Sequence, residues 1–374
     1  MKTCSHCVMD ETDPDISFDA QGICDHCSNF FNSVFPRWHR DLTEGKLDAV
    51  IQSVKLRGKG SAYDCIIGLS GGLDSSYLAM RAVKDLGLRC LLFHVDAGWN
   101  SNLAVSNIEK LIEYLNVDLH TKVIDWDECR NLQLAMFRSG VSHLDAVQDH
   151  AFFASMYHFA LKYNIKTVLT GANISTECIR NPVSWMYYQS DARQLKSIYR
   201  RFGDGEALKN FPFTSVIWHK IYLPYVKNIK LVSPLNFMDF RKKEAADELS
   251  KNFGWQGYNQ KHGESRFTEF YEKYWLPKRF GIDVRKVQLS SLILTGQITR
   301  ETAQSVLSVP SWSEYDFSNE ADYVADKLEI SRFELEQFMT LPLRKYNDFA
   351  NLKWVYDLGK FAYKLVGFDT GIKR

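Results

Sequence analysis

No stretch of this sequence is apolar for long enough to cross a membrane, and its first residues carry no signal-peptide core. Neither sign of charge predominates: 46 Lys and Arg oppose 45 Asp and Glu, for a formal net charge of +1. That balance argues against an extensive nucleic-acid footprint, although a local basic patch is compatible with it. Two common nucleotide signatures are also missing. There is no Gly-x-x-x-x-Gly-Lys-Ser/Thr and no Gly-x-Gly-x-x-Gly. Cysteine is sparse, eight in 374 residues, and without a secretory signal these read as metal ligands or free thiols rather than disulfides. The expectation is a cytoplasmic protein with no membrane and no nucleic-acid partner.

What is present is ordinary in bulk and specific in detail. Apolar residues make up 45% and charged residues 24%, as in a globular protein. A chain of this length is expected to divide into two or three domains. We place boundaries at 1–60, 61–250 and 251–374.

Cys4-Ser-His-Cys7 and Cys24-Asp-His-Cys27 are two Cys-x-x-Cys knuckles separated by sixteen residues. Each can set two thiolates on one side of a metal, so Cys4, Cys7, Cys24 and Cys27 predict a closed structural Zn2+ site. His6 and His26 lie inside the knuckles and are alternative ligands; a redox pair is another alternative. Residues 28–60 read as a helical linker ending at Arg57-Gly-Lys-Gly60.

The centre of the sequence is Cys65-Ile-Ile-Gly-Leu-Ser-Gly-Gly-Leu-Asp-Ser-Ser76. A short apolar run predicts a buried strand, Ser70-Gly71-Gly72 a turn, and Asp74-Ser75-Ser76 the opening of a helix. Such a junction suits an anion, because glycine lets the backbone approach and a helix start presents unpaired N–H groups. A plain turn followed by an Asp74 N-cap would look similar. Further strands are predicted at 88–95, 118–124, 166–170 and 229–232, with helices at 103–115 and 146–163 between them. This alternation implies a doubly wound parallel α/β sheet with ligands beyond the strand ends. Residues 174–228 interrupt the rhythm with an aromatic and basic insertion, which suits a lid, helical packing or a subunit interface equally. His143 and His150 flank Asp145 and Asp149, either as a proton-transfer or metal site or, as favoured, as capping and packed histidines.

Ser-Gly-Gly-x-Asp-Ser in this setting resembles the PP-loop of the N-type ATP pyrophosphatases, which use ATP to adenylate an oxygen and release pyrophosphate into the loop. The resemblance implies ATP on Ser70, Gly71, Gly72, Asp74, Ser75 and Ser76, with Asp74 placing Mg2+. It also implies that His94, Val95 and Asp96 frame the adenosine, and that Gly171 permits close approach. Pro234-Leu235 and the Lys242-Lys-Glu244 helix start look like a further element of that superfamily. Lys242 is then a candidate phosphate contact, with solvated helix charge as the alternative.

Lys261-His-Gly-Glu-Ser-Arg-Phe-Thr268 is dense in polar groups among aromatics, which suits a binding surface or a buried salt-bridge network; the favoured reading is substrate binding at Lys261, His262, Glu264, Ser265 and Arg266. Beyond Thr295 the chain reads as a small helical cap, with Thr299 and Ser331 as helix N-caps. Together with the cysteine knuckles, the loop and Thr170-Gly-Ala-Asn173, this segment resembles the N-acetyl sugar amidotransferases of bacterial surface-polysaccharide and flagellin-glycan pathways, including lipopolysaccharide O-antigen. The resemblance implies a nucleotide-activated N-acetyl sugar as substrate. Its acetamido oxygen would be adenylated, and ammonia would displace AMP to leave an acetamidino group. The chain starts Met1-Lys2, and none of its cysteines sits on a Gly-flanked elbow, so no glutaminase nucleophile is legible. The resemblance accordingly implies ammonia from separate subunits similar to the glutaminase and barrel of imidazole glycerol phosphate synthase. A tRNA-thiolating PP-loop enzyme and a non-catalytic ATP-binding zinc scaffold are the alternatives.

Overall fold

A computed structural model of the chain describes residues 1–258 and 261–365, apart from the side chains at 314–317 and 362–365. The end of the 251–374 segment therefore lies outside the described residues. Five strands form one parallel sheet: β1 (Cys65–Gly68), β2 (Cys90–Asp96), β3 (Leu119–Val123), β4 (Thr167–Leu169) and β5 (Lys230–Val232), in the order β3-β2-β1-β4-β5. All five expected strands are present, each within two residues of its expected start.

Alternation along the strands divides the interior into two cores, because successive side chains point to opposite faces. Ile66, Leu91, Phe93 and Val168 join one core, whereas Cys65, Ile67, Cys90, Leu92 and Leu169 join the other. Helices Leu73–Lys84, Asn102–Leu115 and Lys242–Phe253 bury Leu78, Ile108, Leu111 and Leu249 in the second core. Helices Trp126–Ser139 and Ala146–Lys162 bury Leu132, Ala151 and Tyr157 in the first. Helices thus cover both faces, as a parallel sheet requires.

The insertion packs over its first part, whereas Ile217, Ile221, Tyr225 and Val226 towards its end are exposed. Trp185, Tyr187, Leu195 and Ile198 are buried, and Tyr188 stacks on Tyr356 with ring centroids 3.8 Å apart. Three helices span Phe35–Thr43, Lys46–Arg57 and the short Asp25–Asn29 turn, in keeping with a helical linker. Thr299 and Ser331 cap their helices, accepting from the N–H groups of Thr302 and Glu334. Among the described residues, no helix is long and apolar enough to cross a membrane.

The N-terminal knuckles lie against the C-terminal helices. Arg300 donates to the carbonyls of Cys7 (3.1 Å) and Cys4 (2.9 Å), Ser290 Oγ accepts from Val8 N–H (3.2 Å), and Lys286 pairs with Asp10 (2.5 Å). Segments some 280 residues apart in the chain thus share one surface.

Candidate functional site

Sheet order places the site. The chain leaves β1 for β2 and β3 on one side and reaches β4 and β5 on the other, so the loops after β1 and β4 diverge and leave a crevice between them. Ser70 to Ser75 follow β1, and Gly171 follows β4. A Cβ on Gly171 would lie 2.8 Å from the Asp74 carbonyl carbon and 2.9 Å from Ser75 N, so only glycine allows this approach.

The loop is tightly wired. Ser70 N–H donates to Ser75 Oγ (3.3 Å), Gly72 N–H donates to Ser70 Oγ (3.2 Å), and the two serine hydroxyls are 3.2 Å apart. Gly71 has a φ of +82°, and its carbonyl accepts from the Trp255 indole (3.1 Å) and the Tyr258 phenol (3.0 Å). Asn107 donates to the Tyr258 phenol and exchanges hydrogen bonds with the backbone of Gln256, the residue after Trp255. Ser76 is fully buried with no partner for its hydroxyl, one turn inside the helix that starts at Leu73.

Charged groups converge on Asp74. Lys261 Nζ stands 3.9 Å from its carboxylate and pairs closely with Glu177. Burial pushes the Asp74 carboxyl up to about 6; Lys261 and Lys242 oppose that rise, while Glu177 and Glu264 add to it. Burial would depress Lys261, but Glu177 and Asp74 hold its ammonium well above the ordinary lysine value. Glu177 in turn is held below the usual carboxylate value: burial opposes this, and the Lys261 ammonium outweighs it. Lys242 opens its helix, and its N–H donates to Gln297 Oε1 (2.8 Å). The same Gln297 amide donates to the Ser175 carbonyl (2.8 Å), so one side chain braces both Lys242 and the Ile174–Glu177 turn.

The 261–268 segment lies across the loop. Ser101 N–H donates to the Glu264 carbonyl (2.8 Å), Arg266 N–H donates to the Trp99 carbonyl (2.9 Å), and Asn100 bridges Ser265. Glu264 reaches the loop after β1 itself, accepting from Ser70 Oγ at 3.2 Å. His262 has a φ of +66° and an Nδ1 2.9 Å from the buried Glu272 carboxylate. Burial opposes its protonation, yet Glu272 prevails and pushes the imidazole up to about 9. Ser265 caps the helix Arg266–Phe270 and lies 3.3 Å from the Gln148 amide. Arg266 pairs with Glu320 (2.9 Å) and lies over the Tyr323 ring.

The other expected residues sit nearby in different capacities. His94 donates from Nδ1 to the Leu69 carbonyl (2.8 Å), so its Nε2 accepts from Asn100 (3.0 Å) and the ring ties β2 to the root of the loop. Val95 is buried, and Asp96 accepts from Gly98 N–H (2.8 Å) at the end of β2. His143 and His150 are packed, with Nδ1 on the carbonyls of Tyr187 and Gln189. Asp145 is engaged by Gln148 and Thr268. Glu177, Gln297, Trp255, Tyr258 and Glu272 did not stand out in the sequence. Only Glu177 carries a signal, an acid six residues after Gly171, and that signal reads as ordinary charge in a first helical turn.

The four knuckle thiols gather with all Sγ atoms within 4.8 Å of one another. Neighbouring pairs stand 3.8, 3.7 and 3.6 Å apart. Four sulfurs about 2.3 Å from a tetrahedral zinc would be separated by about 3.8 Å, so the set fits that ion. Backbone N–H groups of His6, Cys7 and Cys24 point at Cys4 Sγ. Hydrogen bonding with Cys24 holds the Cys4 thiol far below its ordinary value and pushes Cys27 far above it, so four such close sulfurs do not ionise together unless a cation compensates them. His26 bonds Asp13 at 2.8 Å, and His6 lies edge-on to Phe31; neither belongs to the thiol cluster.

Residues 264–362 match the family model of the C-terminal domain of WbpG-like LPS biosynthesis proteins. No curated protein matches the chain. Among solved structures, NMN synthetase from Francisella tularensis is 17% identical over 80% of this chain and 95% of its own, with a TM-score of 0.31. The U34-tRNA thiolase NcsA from Methanococcus maripaludis, solved with its 4Fe-4S cluster, is 12% identical over 82% of this chain and 89% of its own, with a TM-score of 0.33. Both are loose likenesses.

Proposed function

We propose, from the WbpG-like C-terminal domain that residues 264–362 carry and from the anion-binding loop it touches, that this protein is an ATP-dependent enzyme of lipopolysaccharide biosynthesis. The reaction we assign is amidine formation on a nucleotide-activated N-acetyl sugar. ATP activates the acetamido oxygen by adenylation, and ammonia then takes the place of AMP. The balance is amide, ammonia and ATP in; amidine, AMP and pyrophosphate out.

One observation carries the reading. The loop after β1, the glycine after β4 and the 261–268 segment meet at the switch point of the sheet, with Lys261 facing both Asp74 and Glu177. Backbone N–H groups of the loop and the start of helix Leu73–Lys84 would hold the departing diphosphate. Asp74 and Glu177 both reach the Lys261 ammonium, and as carboxylate oxygen donors they could hold Mg2+ that arrives with the phosphates. That ion would neutralise phosphate charge. Lys261 and Lys242 supply further positive charge, so most of the rate enhancement is positioning and electrostatics. His262, anchored by Glu272 through Nδ1, follows Lys261 and would offer its Nε2 to a substrate oxygen. Cys65, Cys90, Cys129 and Cys178 are all buried, which disfavours a sulfur-transfer reading. The cysteine knuckles would hold structural Zn2+, and ammonia would come from a separate glutaminase.

The test is pyrophosphate release by the purified protein with ATP, Mg2+, ammonium chloride and a panel of UDP-, GDP- and CMP-linked N-acetyl sugars. Release that needs both a sugar and ammonium, with an amidine product by mass spectrometry, is expected. Release that needs tRNA instead would refute the assignment.

A further inference from the structure

Glu264 places a carboxylate where an anion is supposed to bind. Its Oε1 accepts from the Ser70 hydroxyl at 3.2 Å and would lie 2.9 Å from a Cβ built on Gly72, so it rests against the loop backbone. The residue is not free to withdraw by moving its main chain. Its carbonyl accepts from Ser101 N–H, its neighbour Ser265 bridges Asn100, and Arg266 N–H is bonded to the Trp99 carbonyl. Withdrawal of the carboxylate therefore takes rotation about its side-chain bonds and loss of the Ser70 hydrogen bond. Asp74 and Glu177 add two more carboxylates to the same crevice, against the ammonium groups of Lys261 and Lys242. Three carboxylates thus face two ammonium groups at the loop, with His262 paired to Glu272 and Arg180 near Glu177.

We infer that Glu264 makes the loop selective for metal-complexed diphosphate, turning away free polyphosphate by repulsion while its hydrogen bond holds Ser70 in register. The inference rests on the phosphate-loop reading above. A diphosphate bringing Mg2+ would arrive with less net negative charge, so the repulsion from Glu264 would fall. A bare diphosphate would meet a like charge within hydrogen-bonding distance of the Ser70 hydroxyl, where burial weakens solvent screening.

Inorganic pyrophosphate is the probe, titrated calorimetrically into the full chain with Mg2+ or with EDTA. Glu264→Gln keeps an acceptor for Ser70 and removes the charge. It is expected to bind metal-free pyrophosphate at least about tenfold more tightly than the parent, while the two differ by less than about threefold with Mg2+. Glu264→Asp, which retains the charge, is expected to behave like the parent. Equal metal-free affinity in parent and Glu264→Gln would overturn the inference. So would Glu264→Asp matching Glu264→Gln, or loss of the Mg2+-dependent affinity in Glu264→Gln, which would make Glu264 a metal ligand. If no form binds pyrophosphate even with Mg2+, the phosphate-loop reading itself fails, and this inference with it.

Discussion

Replacing Gly171 with alanine tests the crevice at its narrowest point. The new methyl would stand 2.8 Å from the Asp74 carbonyl carbon and 2.9 Å from Ser75 N, where ordinary contact begins at 3.4 Å. These atoms are backbone in the first turn of a helix and cannot swing aside, so strand end and helix start must part by about 0.6 Å. Gly171 is not in the left-handed region, so the whole effect is steric. Overpacking of this kind costs about 1–3 kcal/mol. If the free protein relieves that strain by opening the crevice, binding a nucleotide must restore it. At about 1.4 kcal/mol per factor of ten, affinity then falls about 5- to 150-fold. We would measure urea denaturation and calorimetric titration with Mg2+ and the non-hydrolysable analogue AMPCPP. Gly257→Ala serves as control, because its methyl would meet nothing closer than 3.7 Å. A Gly171→Ala protein of unchanged stability that binds within twofold of the parent would refute the close contact. Lost stability with intact binding would show that the nucleotide lies elsewhere.

Three further outcomes are expected. Cys24→Ser should abolish stoichiometric zinc measured by plasma mass spectrometry and loosen residues 1–30 to protease, since three thiols leave the tetrahedral set incomplete. Arg300→Met keeps the stem but drops the two bonds to the Cys4 and Cys7 carbonyls, and should cost roughly 2–4 kcal/mol in chemical denaturation. His150 is fully buried, and burial depresses its imidazole from 6.5 to about 4. The unfolded chain binds this proton more readily, so the contribution of His150 is complete above pH 6.5 and is lost as pH falls towards 4. His150→Gln should therefore flatten the acid side of the stability profile by roughly 2–3 kcal/mol between pH 7 and 4.5, read from urea midpoints.

Local sequence determined a good deal of this protein. The strand–glycine–helix junction at 65–76, the other four strands and the paired knuckles are each written in contiguous residues, because hydrophobic period, turn chemistry and ligand spacing act over short stretches. The two-core alternation follows from the same period. Roles that depend on what stands opposite were another matter. Glu177 looks like ordinary charge in a first turn until Lys261, 84 residues on, is folded against it. Gln297 carries no motif, yet its amide braces the helix starts that bear Lys242 and Glu177. Trp255 and Tyr258 read as core aromatics, and only the fold turns their polar ends onto Gly71. Glu264 stood out as one polar residue in a binding segment; its seat on Ser70, 194 residues away, is set by a short bridge to the loop after β2. Backbone hydrogen bonding and hydrophobic period are local and repeat. Electrostatic partners and close approaches are pairwise and long-range, so the tertiary structure alone decided which charges face one another.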